Sequence, residues 1–132
     1  MPETEIIYYC DKDGTAPVLE WLTSLADKNR KAAEKCLIRI ETLRQMGHEL
    51  RRPIADYLRD GIHELRTRQG NVNYRVLYFF HGKNVAILAH GLVKEKEVPD
   101  VDIERAVERK RRFEEAPAKH TYREGDENGN DN

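Results

Sequence analysis

Apolar positions along the chain recur at two spacings, every second residue and every third or fourth, in alternating blocks separated by turn-forming clusters. Glu5 to Tyr9 (EIIYY) is a short β-prone run closed by Asp11-Lys12-Asp13-Gly14, and it reads as a first strand. Thr15 can cap a helix, Pro17 is tolerated in a first turn, and Val18, Trp21, Leu22 and Leu25 follow at helical spacing, which predicts a helix from Ala16 to Ala26. A longer helix from Lys28 to Met46 carries Ala33, Cys36, Leu37, Ile40 and Leu43 on one face and charged residues on the other, with Gly47 as its stop. After an arginine-rich polar connection (Arg51, Arg52, Arg59), Ile62 to Lys94 reads as three short strands. Pro99 then opens a last helix with Ile103, Ala106, Val107 and Phe113 along one stripe, and Pro117 ends it. The order β-α-α-β-β-β-α, with hairpins joining the later strands, predicts an α+β domain: an antiparallel sheet packed against the N-terminal helices on one face, followed by a C-terminal helix.

Turn chemistry sets the register. If Gly70-Asn71 is a two-residue hairpin loop, Gln69 faces Val72, Thr67 faces Tyr74 and Arg66 faces Arg75. If Gly82-Lys83 closes the next hairpin in the same way, Phe80 faces Val85, Tyr78 faces Ile87, Val76 faces Ala89 and Arg75 faces His90. Arg66, Arg75 and His90 then form one row across three strands. Side chains alternate between faces, so Val76, Tyr78, Phe80, Val85, Ile87 and Ala89 fall on the opposite, core face, while Leu77, Phe79 and Leu88 share the arginine face and need a cover of their own, the last helix or a partner. A bulge or a one-residue slip in either turn would send Arg66 or His90 to the other face.

Charge sharpens this picture. Residues 51–96 hold nine Lys and Arg against four Asp and Glu, and the rest of the chain fourteen against twenty, so a chain of net charge −1 contains a basic sheet with three of its five histidines. Such a sheet points to a phosphate-bearing partner. Directly opposed like charges destabilise a sheet by a few tenths to about 1 kcal/mol, a cost that a bound anion would offset. Taken one by one, His90 stays open between packing and proton transfer, His63 shares a face with Leu65 and reads as packing, His81 sits at a turn, Lys94 is open between phosphate contact and solubility, and His48 and His120 carry no signal.

Other classes are disfavoured. The 132 residues suit one domain, residues 1–116, followed by a polar segment, 117–132, that reads as a disordered tail. With 36 % charged residues and a mean hydropathy of −0.82, no apolar run approaches the roughly 20 residues of a bilayer span, and MPETEIIYY does not read as a signal peptide. A cytoplasmic protein is expected, without membrane association. Cys10 and Cys36 read as reduced, buried thiols, and Cys and His lack paired ligand spacing, so neither a metal nor another cofactor is expected.

IHELR, then Gly70-Asn71, then YRVLYFF, then AILAHGLVKEKE and the start of the final helix (Pro99, Ile103, Glu104, Arg105, Ala106) resemble, in order and spacing, the phage-derived HigB branch of the RelE superfamily, toxins of type II toxin–antitoxin modules. The resemblance covers Glu5 to Phe113. It implies a RelE-like fold, metal-free cleavage of mRNA on the translating ribosome with inhibition of translation, and neutralisation by a helix-turn-helix antitoxin, with operator DNA bound only through the toxin–antitoxin complex. It maps the cations that hold and polarise the scissile phosphate onto Arg66, Arg75 and Lys94; Arg68 and Lys96, also in the basic segment, are further candidate RNA contacts. Two departures stand out: His63 and Glu64 occupy positions where some RelE members carry lysines, and the only late tyrosine, Tyr122, lies beyond the last helix.

Attack of a ribose 2′-OH on the adjacent phosphate needs charge stabilisation and proton transfer. Guanidinium groups suit the first because they stay charged and bind phosphate oxygens through paired donors, which assigns it to Arg66 and Arg75 with Lys94 in support. His90 is the first candidate for proton transfer and Glu64 the second. Two rival readings remain open: a ParE-like inhibitor of DNA gyrase that cuts no RNA, and a non-catalytic subunit whose basic sheet docks an acidic antitoxin segment.

Overall fold

The computed structural model describes residues 3–94 and 96–124. The chain runs β1 (Glu5–Tyr9), α1 (Pro17–Lys28), α2 (Arg30–Met46), β2 (Ala55–Arg59), β3 (Ile62–Gln69), β4 (Val72–His81), β5 (Val85–Val93), α3 (Asp100–Glu115) and β6 (Thr121–Tyr122). All six strands join one sheet in the order β2-β3-β4-β5-β1-β6. The α+β class holds, as a RelE-like fold, but the sheet is mixed: β1 lies parallel to β5 while the other pairings are antiparallel. Thr15 is not the helix cap, since its N–H goes to Asp13 Oδ1 at 2.9 Å in the preceding turn and Ala16 takes the cap position. Asn29 caps α2 by accepting the Ala32 N–H at 3.1 Å, and Gly47, at φ 54°, ends it in a conformation that glycine adopts without strain.

Apolar residues are buried on both faces of the sheet. Val18 and Leu22 of α1 and Cys36, Ile40 and Leu43 of α2 pack against Tyr8, Leu65, Val76, Tyr78 and Leu88. Ile103, Ala106 and Phe113 of α3 pack against Tyr9, Ile62, Leu77, Phe79 and Ile87 on the other face. Helices therefore cover two faces rather than one, and α3 is the cover that Leu77 and Phe79 require. Both cysteines are free and buried.

The first hairpin has the counted register, with Gln69 opposite Val72 and Arg66 opposite Arg75. The second differs twice. Its loop is three residues, Gly82-Lys83-Asn84, so His81 faces Val85 and Phe79 faces Ile87, and Ala89 is an extra, bulged residue between the pairs Tyr78–Leu88 and Leu77–His90. Each one-residue shift reverses the faces. Between the two shifts β5 is inverted from expectation: Val85 and Ile87 lie under α3, and Ala86 and Leu88 lie under α1 and α2. Beyond the bulge the reversals cancel, which returns His90 to the arginine face but opposite Leu77, two residues along β4 from Arg75, whose own partner is Leu92. The bulge is held from α3, where Arg109 Nη1 donates to the Ala89 carbonyl at 2.7 Å.

Residues 117–122 of the expected disordered tail instead pack against the domain. A short turn at Pro117–Lys119 brings Tyr122 opposite Tyr8. His120 is buried, stacked on Tyr9 with ring centroids 5.1 Å apart, its Nδ1 2.8 Å from the Cys10 carbonyl. Residues 125–132 of that tail lie outside the described residues.

Candidate functional site

On the α3 face, beside β2, β3 and β4, lies a cleft of about 680 Å3. Its lining includes five cations, Arg52, Arg59, Arg66, Arg75 and Lys96, and four carboxylates, Asp56, Glu64, Glu97 and Asp100. The local charge is therefore nearly balanced, and its arrangement, not its sum, is what distinguishes the cleft.

Glu64 organises it. Residues two apart on a strand share a face, so Glu64 and Arg66 lie side by side, and the pairing of β3 with β4 puts Arg75 opposite Arg66. The Glu64 carboxylate, 2 % exposed, accepts Arg66 Nε at 2.9 Å and Nη2 at 2.7 Å on Oε2, and Arg75 Nη1 at 2.8 Å on Oε1. The repulsion expected between the two arginines is thus offset by an internal carboxylate rather than by a bound anion. Arg75 and Glu64 are both buried, and stripping either from such a pair costs about 3–5 kcal/mol because a charge is left uncompensated. The Arg66 side chain is 37 % exposed, so its pairing contributes far less to stability. Arg75 is the fixed group and Arg66 the solvent-facing one. Among the described residues, Arg75 Nε is buried without a hydrogen-bond partner, a donor left over in the cleft wall. At the rim, Arg66 Nη2 also lies 3.6 Å from Asp56, which pairs with Arg52 at 2.9 Å. The hydrogen bond from Arg52 holds the Asp56 carboxyl below the usual carboxylate range.

The remaining sequence candidates divide. Lys96 lines the cleft. Lys94 is exposed at the end of β5 and outside the lining, with its backbone N–H on the Asn73 carbonyl at 3.2 Å. Arg68 is exposed near the β3–β4 turn, its Nε donating to the Gly70 carbonyl at 3.1 Å. His90 is not in the row and does not line the cleft. Its Nε2 is 2.7 Å from Asp102 Oδ1 and its Nδ1 3.4 Å from Arg109 Nη1, a pattern that suits a neutral ring donating to the carboxylate and accepting from the guanidinium. Burial, with Arg109 adding to it, outweighs Asp102 and pulls the His90 pKa below the ordinary histidine value. Both His90 nitrogens are thus engaged beneath α3. His63 packs on the other face, stacked on Tyr78, and His81 is exposed at its turn.

Arg52, Asp56 and Tyr57 fall in a stretch whose polar composition points to a connection rather than a strand. A signal for the strand exists: Asp60-Gly61, with φ of 54° and 83°, is an Asp-Gly hairpin loop joining Arg59 to Ile62. The Glu-x-Arg spacing by itself puts Glu64 beside Arg66 on one face of β3. Among the described residues, no three His, Cys, Asp or Glu side chains gather where they could hold a metal ion, and no helix is long and apolar enough to cross a membrane.

A sheet layered between two helices and a third, with paired guanidinium groups from adjacent strands in a cleft beside the last helix, defines a RelE-like α+β protein. The family of phage-derived Gp49-like proteins (DUF891) matches residues 20–111, and the chain belongs to that family, a toxin-like family of the RelE/HigB type. The match runs from α1 through most of α3 and so includes every residue of the Glu64 cluster. No curated protein matches the chain.

Proposed function

We propose that this protein is the toxin of a type II toxin–antitoxin pair, of the HigB kind, and that it cleaves mRNA on the translating ribosome without a metal. The convergence of Arg66 and Arg75 on Glu64 within an open cleft carries this reading, because it aligns two permanent cations before any substrate arrives. Arg66 takes the oxygens of the scissile phosphate, the buried Arg75 adds its positive charge from the cleft wall, and Lys96, rather than Lys94, supports them from the rim. Glu64, rather than His90, takes the 2′-OH proton as the 2′ oxygen bonds to phosphorus, and the departing 5′ oxygen takes a proton from water. The helix-turn-helix antitoxin neutralises the toxin by covering the cleft.

Primer extension on mRNA from cells expressing the chain tests this. The wild type is expected to arrest growth and leave cut transcripts, and Arg66→Ala, which spares the buried Arg75–Glu64 pair, to lower cleavage by about 10²-fold or more with the fold intact. Growth arrest that survives Arg66→Ala and Arg75→Ala with whole mRNA would sink the nuclease reading. Gyrase trapped on DNA in the same cells would assign the protein to the ParE-like alternative. Loss of antitoxin affinity alone would make the cleft a docking surface.

A further inference from the structure

A second cleft, of about 350 Å3, lies across the edge strand β2 from the first. The two share Arg52, Asp56 and Tyr57 in their linings. Strand alternation explains the sharing: Asp56 lies opposite Glu64 on the arginine face, and Tyr57 lies opposite His63 on the face that α2 covers. The second cleft is walled by rings in mutual contact. His48 stacks on Phe80 with centroids 3.7 Å apart, Phe80 meets His63 edge-on at 5.2 Å, and His63 meets Tyr57 edge-on at 5.1 Å. Tyr57 is 55 % exposed and His48 is exposed, while His63 and Phe80 are half-buried behind them. Arg51 and Arg52, both exposed, stand at the mouth.

Exposed aromatic side chains, Tyr57 and His48, beside exposed guanidinium groups, of which Arg52 is also paired with Asp56, suit a planar aromatic ligand on an anionic backbone. A peptide helix would want aliphatic pockets, yet the aliphatic members of this lining, Leu50 and Ala55, are buried beneath the rings. We infer that the cleft of His48, Tyr57, His63 and Phe80 is a nucleobase subsite: single-stranded RNA rounds the β2 edge, one base against these rings and its neighbouring phosphates on Arg51 and Arg52, continuing to the scissile phosphate at Arg66 and Arg75. This rests on the RNA-cleaving reading and adds a base-binding element to it. Stacking of this kind tolerates any base, so the subsite sets how the strand is threaded rather than which sequence is cut.

Fluorescence anisotropy with a labelled 2′-O-methyl RNA hexamer, which lacks the attacking hydroxyl, and a matching abasic hexamer tests the subsite. His48→Ala and Tyr57→Leu are expected to weaken the base-bearing hexamer by about fivefold or more each and leave the abasic one unchanged. Tyr57→Phe keeps the ring, loses only the hydroxyl that accepts the Gly61 N–H, and is expected to bind as the wild type does. Equal weakening on both hexamers, no weakening, or no binding of either by the wild type would overturn the inference. Should Tyr57→Leu fail to fold, His48→Ala, a change at an exposed side chain, decides alone. Lost affinity for the antitoxin in place of the hexamer would assign the rings to a protein partner and overturn it too. Ring-dependent hexamer binding together with whole mRNA in cells would remove the nuclease and keep the subsite, whereas cut mRNA with ring-independent binding would do the reverse.

Discussion

His90 and His63 both sit where burial makes the imidazolium costly, His90 with Arg109 beside it and His63 with His48. Both folded-state pKa values therefore lie below the ordinary 6.5, to which the unfolded chain returns. Below about pH 6.5 the unfolded chain takes up protons that the folded chain refuses, so the stability contributed by the neutral rings is complete above that pH and is lost as the pH falls toward the folded values. Melting temperature should accordingly decline between about pH 7 and pH 5.5, and His90→Gln, which keeps a donor for Asp102, should flatten that decline. An unchanged slope would show that His90 titrates normally. At this scale the sequence exposed the chemistry of each side chain but not its partners. Arg66 and Arg75 are recognisable as a pair from the hairpin register, whereas the Glu64 carboxylate that binds them together reads from sequence as a candidate acid or base.

Among the elements, β5 diverged most from its sequence reading, and its neighbours explain why. A loop one residue longer than Gly82-Lys83 and a bulge at Ala89 are both compatible with the same local sequence. What selects them is non-local: Arg109 satisfies the bulged carbonyl, and the inverted segment buries Ile87 under α3 and Leu88 under α1 and α2. Gly91 shows the same dependence. A methyl group added there would overlap the ring of Trp21 in α1, so Gly91→Ala is expected to cost about 1–3 kcal/mol in chemical denaturation, through displaced ring packing rather than backbone strain. A variant as stable as the wild type would mean that Trp21 yields freely. β2, in contrast, is legible locally, because Asp60-Gly61 is among the stronger short-range hairpin signals.

For the molecule as a whole, the last described residues close the sheet beside β1. His120 stacks on Tyr9, Tyr122 meets Tyr8 edge-on at 6.4 Å, and the Cys10 N–H donates to the His120 carbonyl at 3.1 Å. Removal of everything after Ala116 should therefore destabilise the protein by about 2 kcal/mol, two ring contacts and the hydrogen bonds together, read as a lower melting temperature. Equal stability of the shortened and full chains would return residues 117–124 to the status of a tail. The order of β1, the three helices and β3 to β5, the cap at Gly47, the first hairpin and the Arg66–Arg75 pairing are readable from the amino-acid order, because period and turn chemistry act over a few residues. The parallel partner of β1, the second helical layer, the bulge, the neutral His90 and the Glu64 clamp emerged only in the assembled fold. They depend on which distant faces bury the most apolar surface together, and on which charges that burial forces to find one another.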